Sequence, residues 1–492
     1  MIFNSLAFLI FFPVATLVYF LIPHRLRWVW LLAISVYFYI SFVPVYILIL
    51  LTTITIDFFS GILIENAKNK KRKLYLLISI LANGGILFFF KYFNFFNENL
   101  SVAANFLNVG YEPLLLNIIL PIGLSFHVFQ SMSYTIEVYR NNQKAERNFG
   151  ILALYVLFYP QLVAGPIERP QNLLHQFYER HEFDIKRVGS GLALMLGGFL
   201  KKIVIADRLA LFVNPVFSNV SEYSGISFVI AGVFFTIQIY CDFSGYSNIA
   251  VGSARVMGFN IMQNFERPFF AKSIAKFWNR WHISLSTWLR DYLYYPLVFS
   301  FKEKTTAKLY LASLITFTLI GLWHGANWTF VIFGAIHGVY LIVGQTTKKF
   351  RARIMERIGI TKWTKIHHVL QSITVFGLFS LSLIFFRANT LTDAIYILKN
   401  LFSGWSTLVS NFLNPQFLNQ YIFMGFSKGE FYLSLFLILV LTAFELFQQT
   451  IGLKSFIARK PAFWGAFIFA LGILSLLIFG RFGGEEFIYF QF

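Results

Sequence analysis

The chain has 492 residues, of which 57% are hydrophobic, 20% aromatic and only 13% charged. This composition excludes a soluble globular protein, because runs of about 20 apolar residues recur and each can cross a bilayer as a helix. The formal net charge of +19 does not indicate nucleic-acid binding, because the basic residues fall largely in short connectors between apolar segments. The apolar runs do not alternate as barrel strands would, so we predict an all-α polytopic membrane protein.

The N-terminal segments are apolar runs separated by basic connectors. Residues 5–22 have no Lys or Arg before them, so we expect a retained first helix and no cleaved signal peptide. Residues 28–63 are too long for one span, and we predict two helices joined near Pro44. The basic connectors at 25–27 and 68–73 then face the cytoplasm, which places the N-terminus outside the cell.

The next segments are consistent with this orientation. Residues 74–90 predict another span, and residues 94–112 contain two glutamates and no Lys or Arg, as an outer loop should. Residues 114–136 return the chain to the basic residues of 140–147. Between 151 and 260 prolines, glycines and mixed charges interrupt the pattern, so re-entrant or interfacial helices fit better than clean spans.

A helical hairpin is predicted further on, between the basic connectors at 302–308 and 348–365. Residues 309–323 and 328–343 form its two helices, and the turn between them, with His324, points away from the cytoplasm. At about 1.5 Å per residue, His324 lies roughly 24 Å from Lys308. An ionisable side chain in such a setting is costly and marks a functional site. The connector 454–460 precedes a last span over 462–480, so the C-terminus is predicted to lie on the same side as His324.

Residues 273–292 combine basic and aromatic side chains with a second histidine, His282. Placed on one helix, three cations form an i, i+4 row and aromatic residues repeat on another face. For most of these residues an interfacial helix with anchoring tryptophans is the simplest interpretation. The single cysteine, Cys241, excludes a disulfide framework, and no cluster has metal-ligand spacing, so we predict no metal site.

Six motifs follow one another along the chain, at residues 120–126, 158–167, 238–247, 277–296, 321–328 and 487–492. In this order they resemble the membrane-bound O-acyltransferase (MBOAT) family, and within it the bacterial branch with the alginate and peptidoglycan O-acetyltransferases and the teichoic-acid D-alanyl transferase. The resemblance implies one membrane domain over 1–492, a bundle of about 11–13 transmembrane and re-entrant helices around a central tunnel. N-terminal spans would occupy 1–150, a catalytic core 151–345, and C-terminal spans with an aromatic tail 346–492.

The same resemblance implies that His324 is the family's essential histidine. It also implies that His282 occupies the family's second site position, which is either histidine or asparagine. Neutral imidazole suits a general base that takes a proton from an attacking hydroxyl, and His282 could stabilise the oxyanion. The other histidines, His337 among them, favour structural roles. For Asp242 we prefer a role as a helix cap to a role in supporting the site histidines. Further candidates to line the tunnel or support the histidines are Trp281, Ser284, Trp323, Asn327, Asp242 and Gln238.

Tyr489, in the terminal sequence Phe-Ile-Tyr-Phe-Gln-Phe, has two interpretations. It resembles the tyrosine of a small accessory protein in D-alanylation, which accepts an acyl group, so Tyr489 could be an acyl relay. Alternatively, the phenylalanines of this tail anchor it at the outer interface.

We therefore expect an O-acyltransferase, most simply an O-acetyltransferase, in the bacterial cytoplasmic (inner) membrane. It would use an acyl thioester, acetyl-CoA or an acyl carrier, without a tightly bound cofactor. An extracytoplasmic acetyltransferase or esterase-like partner would then modify a cell-surface polysaccharide such as alginate or peptidoglycan. The alternatives are D-alanyl transfer to teichoic acid and a transporter with an intramembrane histidine proton relay.

Overall fold

A computed structural model of the chain describes residues 1–118, 120–163, 165–411, 413–450, 462–483 and 486–490. Within these ranges the regular structure is helical, with no β-strand. Eight of the described helices are long and apolar enough to cross a membrane, and two shorter apolar helices accompany them. The predicted all-α polytopic membrane fold is confirmed.

Two compact units make up the chain. The first contains Met1–Met195 and Tyr246–Gln263, and the second contains Leu196–Gly245 and Asn264–Phe492. The single domain over 1–492 and its three subdivisions stay predictions.

The first unit begins with helices that match the predicted N-terminal spans. The run over 5–22 forms one helix, and the segment 28–63 forms two, joined by a short 3-10 turn at Pro44–Tyr46 as predicted. The helices are α1 (Leu6–Leu21), α2 (His24–Ile40), α3 (Ile47–Asn66), α4 (Lys70–Leu87), α5 (Phe93–Phe106) and α6 (Leu124–Tyr139).

The segment 94–112, predicted as an outer loop, is helical as far as Phe106, because a π-turn at Phe88–Tyr92 continues α4 into α5. Its position outside the membrane stays a prediction. The helical start predicted at residue 114 is wrong for a related reason. The Asn94 side chain donates to the Leu116 carbonyl at 2.9 Å and accepts from the Leu116 N–H at 2.8 Å. These bonds hold the apolar segment around Leu116 beside α5 without regular secondary structure, and α6 begins only at Leu124.

Short helices follow, as the broken pattern after residue 151 predicts. They are α7 (Phe149–Leu157), α8 (Tyr159–Leu162) and α9 (Pro170–Leu173). The prediction is wrong for the rest of that segment, where Ile185–Ser218 and Ile226–Met257 are both long enough to span. The first is α10 (Ile185–Phe199) joined by a π-turn at Leu200–Ala206 to α11 (Asp207–Ser218), and the second is α12 (Ile226–Met257). Charged residues interrupt both apolar runs in the sequence, which hides them as spans.

The second unit takes the chain onward from Asn264. The predicted hairpin is confirmed by two helices, Thr306–His324 and Trp328–Thr346. The last predicted span, over 462–480, is an apolar helix at Ala462–Phe479, and whether it crosses the membrane stays a prediction. Residues 454–460 of the last basic connector lie outside the described residues. The helices are α13 (Ile274–Trp278), α14 (Ile283–Leu289), α15 (Tyr295–Ser300), α16 (Thr306–His324), α17 (Trp328–Thr346), α18 (Lys348–Arg357), α19 (Thr364–Arg387), α20 (Leu391–Asn400), α21 (Trp405–Ser410), α22 (Pro415–Tyr421), α23 (Lys428–Thr450) and α24 (Ala462–Phe479).

Two glycines set the spacing of the α16–α17 hairpin. A Cβ at Gly321 would collide with the Phe330 carbonyl oxygen, and a Cβ at Gly334 would collide with the Phe317 carbonyl oxygen. The two backbones therefore approach each other more closely than side chains would allow, as is common between membrane helices. This packing fixes the end of α16, where His324 lies.

Candidate active site

His324 is the last residue of α16, and the turn that follows fixes its position. The chain leaves the helix at Gly325 in an extended conformation, and the Asn327 side chain caps α17 by accepting from the Thr329 N–H at 3.0 Å. The His324 side chain is buried, with 4% exposure. Asn327, a predicted tunnel or support residue, thus has a clear structural task as a helix cap.

His282 lies at a break between two short helices. The single helix considered for residues 273–292 is wrong, because α13 ends at Trp278 and His282 adopts the left-handed conformation with φ 43° and ψ 55° before α14 begins. A residue other than glycine in this region costs free energy and persists only when its surroundings impose it. His282 is fully buried.

Asn264 supplies those surroundings, and the sequence analysis missed it. Its backbone carbonyl accepts from the Ile283 N–H at 2.9 Å, and its side-chain oxygen accepts from the Ser284 hydroxyl at 2.6 Å and the Ser284 N–H at 3.3 Å. Ser284, which the sequence analysis proposed as a support for the histidines, therefore bonds to Asn264 and helps to hold the turn at His282. A second backbone bond, from the Glu266 N–H to the Arg280 carbonyl at 2.9 Å, closes the same turn. A buried Asn beside a predicted helix carries no distinctive sequence signal.

Tyr489 lies between the two histidines. Its ring centroid is 5.6 Å from that of His324 and 6.2 Å from that of His282. The Trp323 ring contacts both imidazoles, at 5.7 Å from His282 and 5.0 Å from His324. The three residues singled out for chemistry, although distant in the sequence, thus come together in the second unit.

Aromatic side chains enclose this group. The Phe243 ring lies 4.7 Å from His282 and 4.4 Å from Tyr489, and the Phe386 ring lies 5.2 Å from His324. In these surroundings burial lowers the pKa of His282 from 6.5 to about 3, so the imidazole is neutral at physiological pH. Burial, and secondarily the Asp242 carboxylate, raises the pKa of the Tyr489 phenol well above 10. The phenol therefore keeps its proton unless a base removes it.

Asp242 belongs to a buried ion cluster, and the predicted helix-capping role is wrong. It lies in the interior of α12, where no N–H groups need a cap, and its carboxylate is 2.6 Å from the Lys202 ammonium. The same ammonium lies 2.8 Å from Asp207. The sequence analysis missed Lys202 and Asp207. Opposite charges inside otherwise apolar runs are the signal that could have found them.

The tail with Tyr489 is buried at its inner end. Phe487 is fully buried and stacks on Tyr489, with ring centroids 5.5 Å apart. Phe487 therefore packs inside the protein, whereas the anchor interpretation needs it at the outer interface. Gln491 and Phe492 of the motif lie outside the described residues.

The other candidates take packing positions. Trp281 is buried and its ring lies 4.9 Å from that of Phe379. Gln238 lies in α12 one turn before Asp242 and is 5% exposed. Arg290 pairs with Asp291 at 2.9 Å. Glu168, in the first unit, accepts from the Met262 N–H.

His337 is a second buried histidine on the hairpin, and both of its ring nitrogens are engaged. Trp278 Nε1–H donates to Nδ1 at 3.3 Å, and the Ser382 hydroxyl lies 2.9 Å from Nε2. These bonds fit the structural role expected for it. Among the described residues, no group of three or more His, Cys, Asp or Glu side chains could hold a metal ion.

Comparison with known proteins points to one family. A family model described as MBOAT, membrane-bound O-acyltransferase family, matches residues 147–387. A probable alginate O-acetylase of Azotobacter vinelandii is 39% identical over 349 residues, which cover 70% of this chain and 68% of that protein. A peptidoglycan O-acetyltransferase of Helicobacter pylori is 31% identical, covering 82% and 80%. A teichoic acid D-alanyltransferase of Bacillus subtilis is 27% identical, covering 51% and 65%.

Proposed function

Because the chain belongs to the membrane-bound O-acyltransferase family, we propose that it is an O-acetyltransferase serving a cell-surface polysaccharide, such as alginate or peptidoglycan. The observation that carries the chemistry is the Tyr489 ring between two buried histidines. The names of the more similar relatives support acetyl as the acyl group. The teichoic acid D-alanyltransferases cover only about half of this chain, so D-alanyl transfer is less well supported. Family membership also favours the enzyme over the transporter.

In the proposed first step, the acyl group moves from a cytoplasmic thioester to the Tyr489 phenol. His324 takes the phenol proton as the oxygen attacks the thioester carbonyl, and the C–S bond then breaks. The thiolate that leaves recovers the proton from His324. The products are an acyl ester on Tyr489 and a free thiol, so atoms and charges balance. The donor is acetyl-CoA or an acyl carrier protein.

His282 has a different task in this proposal. A neutral imidazole donates one hydrogen bond, which could stabilise the oxyanion of the tetrahedral intermediate. Burial lowers the pKa of His282 to about 3, so the imidazole stays neutral at physiological pH and keeps one ring N–H to donate. The role of base goes to His324, which the resemblance to the family implies is the essential histidine. The left-handed turn held by Asn264 fixes the direction of the His282 ring.

In the second step, the aryl ester passes its acyl group to a hydroxyl of an extracytoplasmic acetyltransferase or esterase-like partner. A phenol is a better leaving group than an alkyl hydroxyl, so the ester retains transfer potential. The partner then modifies the polysaccharide. This scheme places the chain in the bacterial cytoplasmic membrane, with its basic connectors in the cytoplasm and with both termini and the turn after His324 outside.

The test measures surface-polysaccharide O-acetylation in cells with the wild type, His324→Ala or Tyr489→Phe, with membrane protein levels checked in parallel. We expect His324→Ala to lower the acetyl-ester content by about 100-fold or more, the typical contribution of a general base. Tyr489→Phe should have a similar effect, because it removes the acceptor oxygen and keeps the ring. His337→Gln is the control for loss of a buried imidazole and should retain activity per folded molecule.

Normal acetylation with His324→Ala, where deletion of the whole protein abolishes acetylation, would overturn the catalytic assignment. Loss with His324→Ala but normal acetylation with Tyr489→Phe would leave the base in place and remove the relay.

A further inference from the structure

The backbone of the segment that carries Tyr489 is bonded to buried charged side chains. The Ile488 N–H donates to the Asp242 carboxylate at 2.8 Å. The Lys202 ammonium, which lies 2.6 Å from Asp242, donates to the Glu486 carbonyl at 3.4 Å. The side chains of Lys202 and Asp242 are each 1% exposed. The backbone on both sides of Phe487, at Glu486 and at Ile488, is thus hydrogen-bonded to one ion pair in the second unit.

These bonds lie next to Tyr489 in the chain and restrict the position of its side chain. Residues 486–490 contain only one short 3-10 turn, Ile488–Phe490, and a segment of this length has little intrinsic preference for a fixed conformation. Hydrogen bonds to charged groups are stronger than neutral ones, and Ile488 directly precedes Tyr489. Fixing the Ile488 N–H therefore restricts where the next side chain can lie.

Apolar packing alone restricts the position of the Tyr489 side chain less than the hydrogen bond to Asp242 does. Phe487 packs on Phe243, with centroids 5.7 Å apart, and on Tyr489 itself. Such contacts are non-directional, so an aromatic tail could shift in register among several phenylalanines. The bond to Asp242 is directional and specifies one register.

We propose that Lys202 and Asp242 are positioning residues that hold the tail so that Tyr489 lies between His282 and His324. We call this arrangement the tail latch: the Lys202–Asp242 ion pair, the Ile488 N–H and the Glu486 carbonyl. The proposal rests on the proposed function, in which Tyr489 accepts the acyl group. In this proposal the buried Lys202–Asp242 pair, which lies within two helices long enough to span the membrane, positions the acyl acceptor. His324 and His282 have the separate roles of base and oxyanion donor.

The chain offers two matched pairs of variants. Ile488→Pro removes the N–H that donates to Asp242, whereas Ile488→Ala keeps it and removes only the side chain; proline is tolerated at the start of a helical turn. Asp242→Asn and Asp207→Asn each leave Lys202 with one carboxylate. Of the two, Asp242→Asn weakens the bond that the Ile488 N–H donates, because it replaces a charged acceptor by a neutral one. Each pair separates the latch from a general loss of packing or charge.

The readout is the rate at which a maleimide labels Phe490→Cys in the full-length protein purified in detergent. Cys241, the natural cysteine, is fully buried, and the protein without the reporter measures its background. We expect Ile488→Pro to label about tenfold faster than Ile488→Ala, the factor that a hydrogen bond to a charged group supplies. Asp242→Asn should label faster than Asp207→Asn.

Equal labelling rates within both pairs would overturn the latch. If Ile488→Pro fails to fold, the Asp242→Asn and Asp207→Asn pair decides alone. Polysaccharide acetylation measured in the same variants should fall with faster labelling. Labelling needs no acyl donor, so a wild-type protein that does not acetylate polysaccharide would remove the proposed function while the labelling result still decides the latch.

Discussion

His282 combines an unfavourable backbone conformation with complete burial, and both properties depend on its neighbours. The left-handed turn is held by bonds from Asn264 and the Glu266 N–H. Burial among Phe243, Trp323 and Tyr489 removes water from the ring. A buried neutral histidine makes folding sensitive to acid, because the unfolded chain can bind a proton that the folded chain cannot.

This sensitivity gives a prediction for His282→Asn, a substitution that suits the left-handed region. Burial lowers the pKa of His282 from 6.5 to about 3, so its contribution to stability is present above about pH 6.5 and is lost as the pH falls towards 3. Between pH 8 and pH 5, the free energy of unfolding of the wild type should fall by about 2 kcal/mol more than that of His282→Asn. Denaturant unfolding in detergent measures the difference. Parallel pH profiles would show that His282 is protonated in the folded protein.

At the scale of elements, the sequence predicted helices where apolar runs end at basic or capped positions. The hairpin of α16 and α17 is an example, since basic connectors flank it and Asn327 caps its second helix. Prediction failed where contacts distant in the sequence decide the conformation. The non-helical segment at Leu116 is held by Asn94, and the break at His282 is held by Asn264.

Close packing of the hairpin gives a prediction for Gly321→Ala. The added methyl would meet the Phe330 carbonyl oxygen, part of the facing backbone, so the helices must separate and move His324. We expect a loss of about 1–3 kcal/mol in stability and lower acyltransfer per folded molecule. Gly344→Ala on the same hairpin is the matched control, because its Cβ would meet nothing within 4 Å. Similar thermal unfolding curves for the two variants would contradict the account of the hairpin.

At the scale of the whole molecule, the basic connectors predict on which side of the membrane each loop lies. Positive residues tend to stay in the cytoplasm, so we predict the connectors around Glu303 and Glu356 inside and the turn at Ala326 outside. The same rule predicts Tyr489 on the outer side, where the proposed acyl ester could meet a partner protein.

Variants with one added cysteine test this orientation, and the protein with only the buried Cys241 measures the background. A membrane-impermeant maleimide applied to intact spheroplasts should label Ala326→Cys, whereas Glu303→Cys and Glu356→Cys should react only after permeabilisation. Glu303 and Glu356 are exposed in the structure, so their protection would come from the membrane. Labelling of Glu303→Cys in intact spheroplasts would reverse the predicted topology and place the turn after His324 in the cytoplasm.

The class of protein, most of its spans, the hairpin with His324 and, through the motifs, the family are all predictable from the amino-acid sequence. Those properties follow from composition, period and local order, which any stretch of about 20 residues expresses without the rest of the chain. Three features are visible only once the helices are packed: Tyr489 lies between His282 and His324, Asn264 holds the His282 turn, and Asp242 pairs with Lys202. Each of these joins residues far apart in the chain, and which buried polar groups meet depends on how helices pack, a property that no single segment carries.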